Sequence, residues 1–188
     1  AGASVYSASD LAREELPELD LTLYEVSDRN MLRAIQNNLL GPMDAYSESD
    51  FMGNVGAEVW AGTADVVMEV NKDVTTRLPM DEAVKGLKPG IYALRAAAPG
   101  VDPYTVAPAW QWFVISDMGV TTMSGTDGLH VFVRSLETAG PKAGVAVDLV
   151  SRANALLASA TTDDQGYAVF DAGLTRGQNG SDAAMVVL

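Results

Sequence analysis

The chain of 188 residues contains no cysteine and only one histidine, His130. Without sulfur there is no disulfide framework, no thiolate nucleophile and no cysteine-rich zinc site. A single imidazole denies an HExxH motif its second ligand and leaves His130 as the only base available to a Ser-His-Asp triad. Positive charge is also scarce: 12 Lys+Arg stand against 25 Asp+Glu, a formal net charge of −13. A nucleic-acid binder needs a basic footprint to neutralise phosphates, and this composition argues against one. No apolar run approaches the roughly 18–20 residues needed to span a bilayer. There is no Gly-rich phosphate loop, and no two of the 25 carboxylates stand out as a catalytic pair.

What is present is globular. The hydrophobic fraction is 48% and the charged fraction 20%, which excludes a disordered chain and permits a core without covalent staples. The acidic charge is uneven, with 18 acidic and 8 basic side chains in residues 1–118 and 7 and 4 in residues 119–188. The opening AGASVYSASD lacks an initiator Met, a basic region and an apolar stretch, so it does not read as a signal peptide. Both ends read as cuts in a longer polypeptide.

The second part shows period-two patterning. In GLHVFVRSL (128–136), Leu129, Val131 and Val133 share one face, while His130 and Arg134 share the other. AGVAVDLVS (143–151) repeats the pattern with Val145, Val147 and Leu149 inward and Asp148 outward. ALLASATT (155–162), the turn DDQG (163–166) and YAVFDAG (167–173) read as a hairpin, and AAMVVL (183–188) as a last strand. Short strands at regular spacing predict a β-sandwich.

The first part is mixed. LDLTLYEV (19–26) reads as a strand with Leu19, Leu21 and Leu23 on one face. From residue 27 the period changes. Met31, Leu32, Ile35 and Leu39 fall at helical spacing, Ser27 or Asp28 caps the start, and Gly41-Pro42 stops the helix. GAEVWAGTADVVMEV (56–70) is strand-like with a break at Gly62. IYALRAAA (91–98) and WQWFVIS (110–116) read as strands, the latter buried on both faces. SDMGVTTMSGTDG (116–128) reads as the link between the parts, with the domain boundary near residue 118.

Each candidate site has a structural alternative. His130 reads as a structural or exposed histidine. Asp163 and Asp164 before Gly166 evoke a cation loop, but position twelve of an EF-hand counted from Asp163 is Leu174, not Glu, so a tight turn is expected. The acidic run Asp44–Asp50 reads as a solvated loop. Trp110, Trp112 and Phe113 form either an exposed ligand platform or, as their alternation indicates, part of a core or domain seam. Asn179-Gly180-Ser181 fits a glycosylation acceptor and is read as a turn. No catalytic, cofactor-binding or metal-ligating residue is assigned, and the chain is not expected to be an enzyme.

Three stretches together carry a resemblance. They are LTLYEV (21–26) with DRNMLRAIQ (28–36), LKPGIYALRA (87–96) with WQWFVISDMGVT (110–121), and residues 128–177 from GLHVFVRSL through TAGPKAGV and the ASATTDDQG turn to GLTRG. In this order they resemble two consecutive macroglobulin-like (MG) domains of a bacterial α2-macroglobulin. The resemblance implies an all-β fold with two Ig-like sandwiches in tandem. Residues 1–118 are then MG3-like with a short helical insertion at about 28–40, and residues 119–188 are MG2-type and lack their last strand. That family comprises large protease traps, usually lipoproteins anchored at the inner membrane and facing the periplasm. The resemblance implies a non-catalytic scaffold with neighbouring MG domains as partners, target proteases met only by the whole protein, and no cofactor. The thioester, which needs a cysteine, and the bait region lie outside these residues. The competing expectation is a pair of Ig-like modules from a bacterial adhesin or carbohydrate-binding protein, which an exposed aromatic strip at Trp110–Phe113 would favour.

Overall fold

A computed structural model of the chain describes residues 18–67, 72, 74–78 and 80–188. It is mostly β and divides into two compact units that meet between Ile115 and Ser116.

The first unit is built on one antiparallel sheet. Its strands are β1 (Glu18–Val26), β2 (Gly56–Asp65), β3 (Gly90–Ala97) and β4 (Ala109–Ile115), in the order β2-β1-β3-β4. Leu19, Leu21 and Leu23 of β1 share a face with Tyr92, Leu94 and Ala96 of β3, as the period-two pattern predicts. That face is covered by Leu78, Met80, Leu87 and Ala83, the last in the short helix α3 (Asp81–Val84). The opposite face is apolar too. Tyr24, Val26 and Ala93 pack beneath α1 (Asp28–Gln36) and α2 (Ala45–Asn54) through Ala34, Leu39, Met43, Phe51 and Val55. A register shift opposite Leu23 and Tyr24 leaves Val59 as an extra residue in β2, while the β1–β3 register runs unbroken. Gly62 lies within β2 rather than breaking it. The Trp60 ring occupies the space that a Cβ at Gly62 would need. Residues 68–70, part of the expected strand run, fall outside the described residues.

Two local readings of this unit are corrected. The helix does not run to Gly41-Pro42. It ends at Gln36 because Asn38 adopts the left-handed conformation, φ 56°, and the Asn38 and Leu39 amides donate back to Ile35 and Ala34. Ile35, expected on the buried stripe, is 48% exposed. The acidic run 44–50 is not a loop but the start of α2. Asp44 is its N-cap, accepting from the Ser47 amide at 2.8 Å. Those hydrogen bonds hold the Asp44 carboxyl below the ordinary range.

The second unit is a sandwich of two three-stranded antiparallel sheets. One is ordered β5 (Met118–Ser124), β6 (Gly128–Ser135), β9 (Tyr167–Asp171); the other is ordered β10 (Ala183–Val187), β7 (Ala146–Ser151), β8 (Leu156–Thr161). Val131 and Val133 of β6, Val147 and Leu149 of β7, and Ala168 and Phe170 of β9 form the core between them. The stretch read as a linker, 116–128, is therefore largely strand β5, whose weak Val/Thr alternation conceals it.

The expected 155–173 hairpin is also corrected. The chain does turn at DDQG, where Asp163 Oδ1 accepts from the Gln165 and Tyr167 amides at 2.8 and 3.0 Å. But β8 pairs with β7, and β9 pairs with β6 in the other sheet. The turn is an arch between sheets. Gly166 decides this geometry: its φ is +70°, its carbonyl accepts from the Val133 amide at 2.8 Å, and a Cβ there would lie 2.3 Å from the Val133 carbonyl oxygen.

Candidate functional site

In the first unit the chemistry-bearing residues collect under the helices. Phe51, fully buried on α2, meets Trp110, Trp112 and Tyr24 edge-on at centroid distances of 4.8, 5.5 and 5.5 Å. Each such pair contributes about 0.5–1.5 kcal/mol beyond its area. Trp112 Nε1 donates to the Leu39 carbonyl at 3.1 Å, tying β4 to the segment after α1. Trp110 Nε1 is buried without a hydrogen-bond partner among the described residues. Phe113 alternates to the other face and stacks on Tyr92. The three aromatics are thus divided between two cores and do not form one exposed platform. Burial raises the phenol pKa of Tyr24 and of Tyr92.

Beside this cluster lies a charge that sequence reading missed. Glu48 of α2 is 1% exposed, and Arg95 of β3 donates its Nε–H to Glu48 Oε1 at 2.5 Å. A carboxylate removed from water needs such a partner. The signal available in sequence was Arg95, a lone cation inside the apolar strand IYALRAAA. At the surface, α1 and α2 are joined by the Arg33–Asp50 ion pair at 2.8 Å and by Asn30 Nδ2 donating to the Val55 carbonyl at 3.0 Å.

In the second unit His130 lies on the outer face of the β5-β6-β9 sheet, where the alternation places it. Its Nδ1 is 2.7 Å from the Tyr167 hydroxyl, and its Nε2 is 3.1 Å from Asp127 Oδ1. Its ring stacks on Tyr167, which also contacts Phe132 at 5.1 Å. The hydrogen bond from the imidazole lowers the Asp127 pKa. Carboxylate, imidazole and hydroxyl are in sequence here, but the hydroxyl is a phenol packed against two rings. The arrangement joins the β5–β6 turn to β9.

The remaining candidates are local. Asp163 is consumed by its own turn, and Asn179–Ser181 forms a single 3-10 turn in which the Ser181 hydroxyl donates to the Gln178 carbonyl at 2.8 Å. Among the described residues no group of three or more His, Asp or Glu could hold a metal ion. None of their helices is long and apolar enough to cross a membrane.

Two β-rich units follow one another along the chain, and the polar groups named above are engaged in turns, caps and packing. Residues 115–188 match the family model of the bacterial alpha-2-macroglobulin MG3 domain. Solved structures extend the likeness to the first unit. Native alpha-2-macroglobulin from Escherichia coli spanning domains NIE-MG1 is similar with TM-score 0.71 and 22% identity, covering 92% of this chain and 78% of that one. The same protein spanning MG0-NIE-MG1 gives 0.63 and 21%, covering 92% and 51%. Trypsin-activated alpha-2-macroglobulin from Escherichia coli gives 0.68 and 21%, covering 91% of this chain but only 11% of that one. No curated protein matches the chain. The structural likenesses establish the fold. The MG3 match covers the second unit alone. The MG3 description falls on the second unit, whereas the sequence resemblance attached it to the first.

Proposed function

We propose that the chain is a non-catalytic scaffold segment of a protease-trapping α2-macroglobulin, and that its two units correspond to consecutive domains near residues 1–118 and 119–188. The observation that carries this is the MG3 match over 115–188, within a fold likeness that spans 92% of the chain. The placement of side chains agrees with such a role. The residues most capable of chemistry, Glu48, His130 and Asp163, are each engaged by a neighbouring part of their own unit. Function in such a module lies in where it holds its neighbours. Its partners are then other macroglobulin domains and, through the whole protein, target proteases. Its compartment is extracytoplasmic, in a parent anchored at the inner membrane and facing the periplasm. Thioester and bait region belong to other parts of that parent.

The test compares two samples treated with trypsin. The full-length parent should block cleavage of a large protein substrate while sparing a small peptide substrate, the mark of steric trapping. The present chain alone should leave both activities unchanged. Stoichiometric inhibition by this chain alone, or hydrolysis by it, would sink the scaffold reading. The adhesin reading rests on an exposed aromatic strip, and Trp110, Trp112 and Phe113 instead pack against two cores.

A further inference from the structure

The chain has six tyrosines, and the surroundings of one differ in kind. Phe132 pairs with Tyr167 and His130 with Val169, so His130 and Tyr167 are diagonal neighbours on the outer face of their sheet, close enough for their side chains to meet. The Tyr167 hydroxyl lies 2.7 Å from His130 Nδ1, and His130 Nε2 lies 3.1 Å from Asp127 Oδ1. An ionised carboxylate can only accept, so Nε2 carries the hydrogen, and Nδ1 of the neutral ring is left to accept from the phenol. The other described tyrosines have no such base. The Tyr92 hydroxyl donates to the Lys88 carbonyl, which takes up no proton at neutral pH, and Tyr24 is buried. Tyr46 and Tyr104 are 80% and 83% exposed and meet solvent.

We propose that Tyr167 is a site of one-electron oxidation by small radical oxidants, primed by His130 as the acceptor of its phenolic proton. Removing an electron from a phenol makes its O–H strongly acidic, and the barrier falls when a base already holds that hydrogen. In the step one electron passes to the oxidant, and the proton moves along the hydrogen bond to Nδ1. The products are a neutral Tyr167 phenoxyl radical, the reduced oxidant and an imidazolium whose Nε2–H stays on Asp127. The carboxylate fixes the tautomer of the ring and offsets its new charge. The oxidant must be small because Tyr167 is half-buried and its ring packs against His130 and Phe132. Nitrogen dioxide meets this requirement. One molecule takes the electron and leaves as nitrite. A second joins the radical at a ring carbon beside the oxygen. That carbon then releases its hydrogen to water as a proton, the oxygen recovers its proton from Nδ1, and a nitrotyrosine remains. The chain has no cysteine to compete for the oxidant. The inference stands on the second unit alone and is independent of the scaffold reading.

The whole chain is exposed to nitrogen dioxide generated radiolytically from nitrite, and nitration of each tyrosine is read by peptide mass spectrometry. Tyr167 should be nitrated ahead of Tyr46 and Tyr104, although both are more exposed. His130→Phe keeps a ring against Tyr167 but removes the base. Nitration at Tyr167 should then slow by about tenfold or more, a modest share of what a positioned proton acceptor contributes, while Tyr46 and Tyr104 keep their rates. In His130→Ala, added imidazole should restore part of the lost rate at Tyr167 and at neither of the other two, which a change of packing alone would not do. If the variants fail to fold, urea unfolding of the unchanged chain should bring Tyr167 down to the rates of Tyr46 and Tyr104. Nitration of Tyr46 or Tyr104 ahead of Tyr167 in the folded chain would overturn the proposal. So would an undiminished rate at Tyr167 in His130→Phe, or a Tyr167 advantage that survives unfolding.

Discussion

At the scale of single residues, the first unit depends on one buried ion pair. Arg95→Ala would strand the Glu48 carboxylate away from water and should cost about 3–5 kcal/mol, measured by urea denaturation. Replacing both members with apolar residues of similar size should restore much of that loss, because no unpaired charge remains. The two tryptophans give a cleaner comparison. Trp112→Phe removes the bond to the Leu39 carbonyl, whereas Trp110→Phe removes an indole N–H that has no partner. Trp112→Phe should therefore be the more destabilising, by about 1 kcal/mol. None of this pairing was legible in sequence. The alternation of β1 and β3 tells which side chains share a face, but Glu48 reaches Arg95 from 47 residues away. An acidic run looks solvated until the element beneath it is known. His130 was legible in part: the period of two put it opposite Val131 and Val133, and only the β6–β9 pairing revealed Tyr167 beside it.

At the scale of elements, caps and turns set the boundaries. The Asp44 cap on α2 makes that helix sensitive to acid. The folded pKa of Asp44 lies below its unfolded value of about 3.9. Its contribution is therefore fully present above the unfolded value and is lost as pH falls through the folded one. Asp44→Asn keeps an acceptor without a charge, so helicity monitored by circular dichroism between pH 5 and 2 (about the span in which an aspartate titrates) should fall less in the variant. Gly166→Ala sets a Cβ against the Val133 carbonyl at a positive φ and should destabilise the second unit by more than about 1 kcal/mol in thermal melts. Sequence signals located both features only partly. Asp-Asp-Gln-Gly announced a reversal but not which sheet would receive the next strand. Gly41-Pro42 looked like the helix stop because asparagine, less often than glycine, takes the left-handed position that Asn38 holds. Strand β5 escaped because Val120 and Thr122 alternate with residues of similar polarity.

At the scale of the whole molecule, each unit carries its own core, so residues 116–188 expressed alone should unfold in a single cooperative transition. A broad, non-cooperative melt would show that this sandwich cannot stand unaided. Phe51→Ala, in the other unit, should cost about 3–5 kcal/mol by loss of the central ring of its aromatic cluster. The mostly-β class and most strand positions were readable because buried strands must alternate. The pairing of strands was not, since sheet order depends on contacts far apart along the chain.

The arch at Asp163 carries one more implication, for time rather than stability. Strands β8 and β9 are sequence neighbours that never pair, and β9 finds its partner β6 with His130 and Tyr167 37 positions apart. The β5–β6 hairpin can form locally, but β9 must be brought to it from far along the chain. The chain must close a long loop before the two layers reward it, which places the second unit among slow folders, on the order of milliseconds to seconds. During that interval the nascent β6 edge waits uncovered. The speed with which the turn at Asp163 and Gly166 delivers β9 then decides how long the chain is open to pairing with the wrong strand.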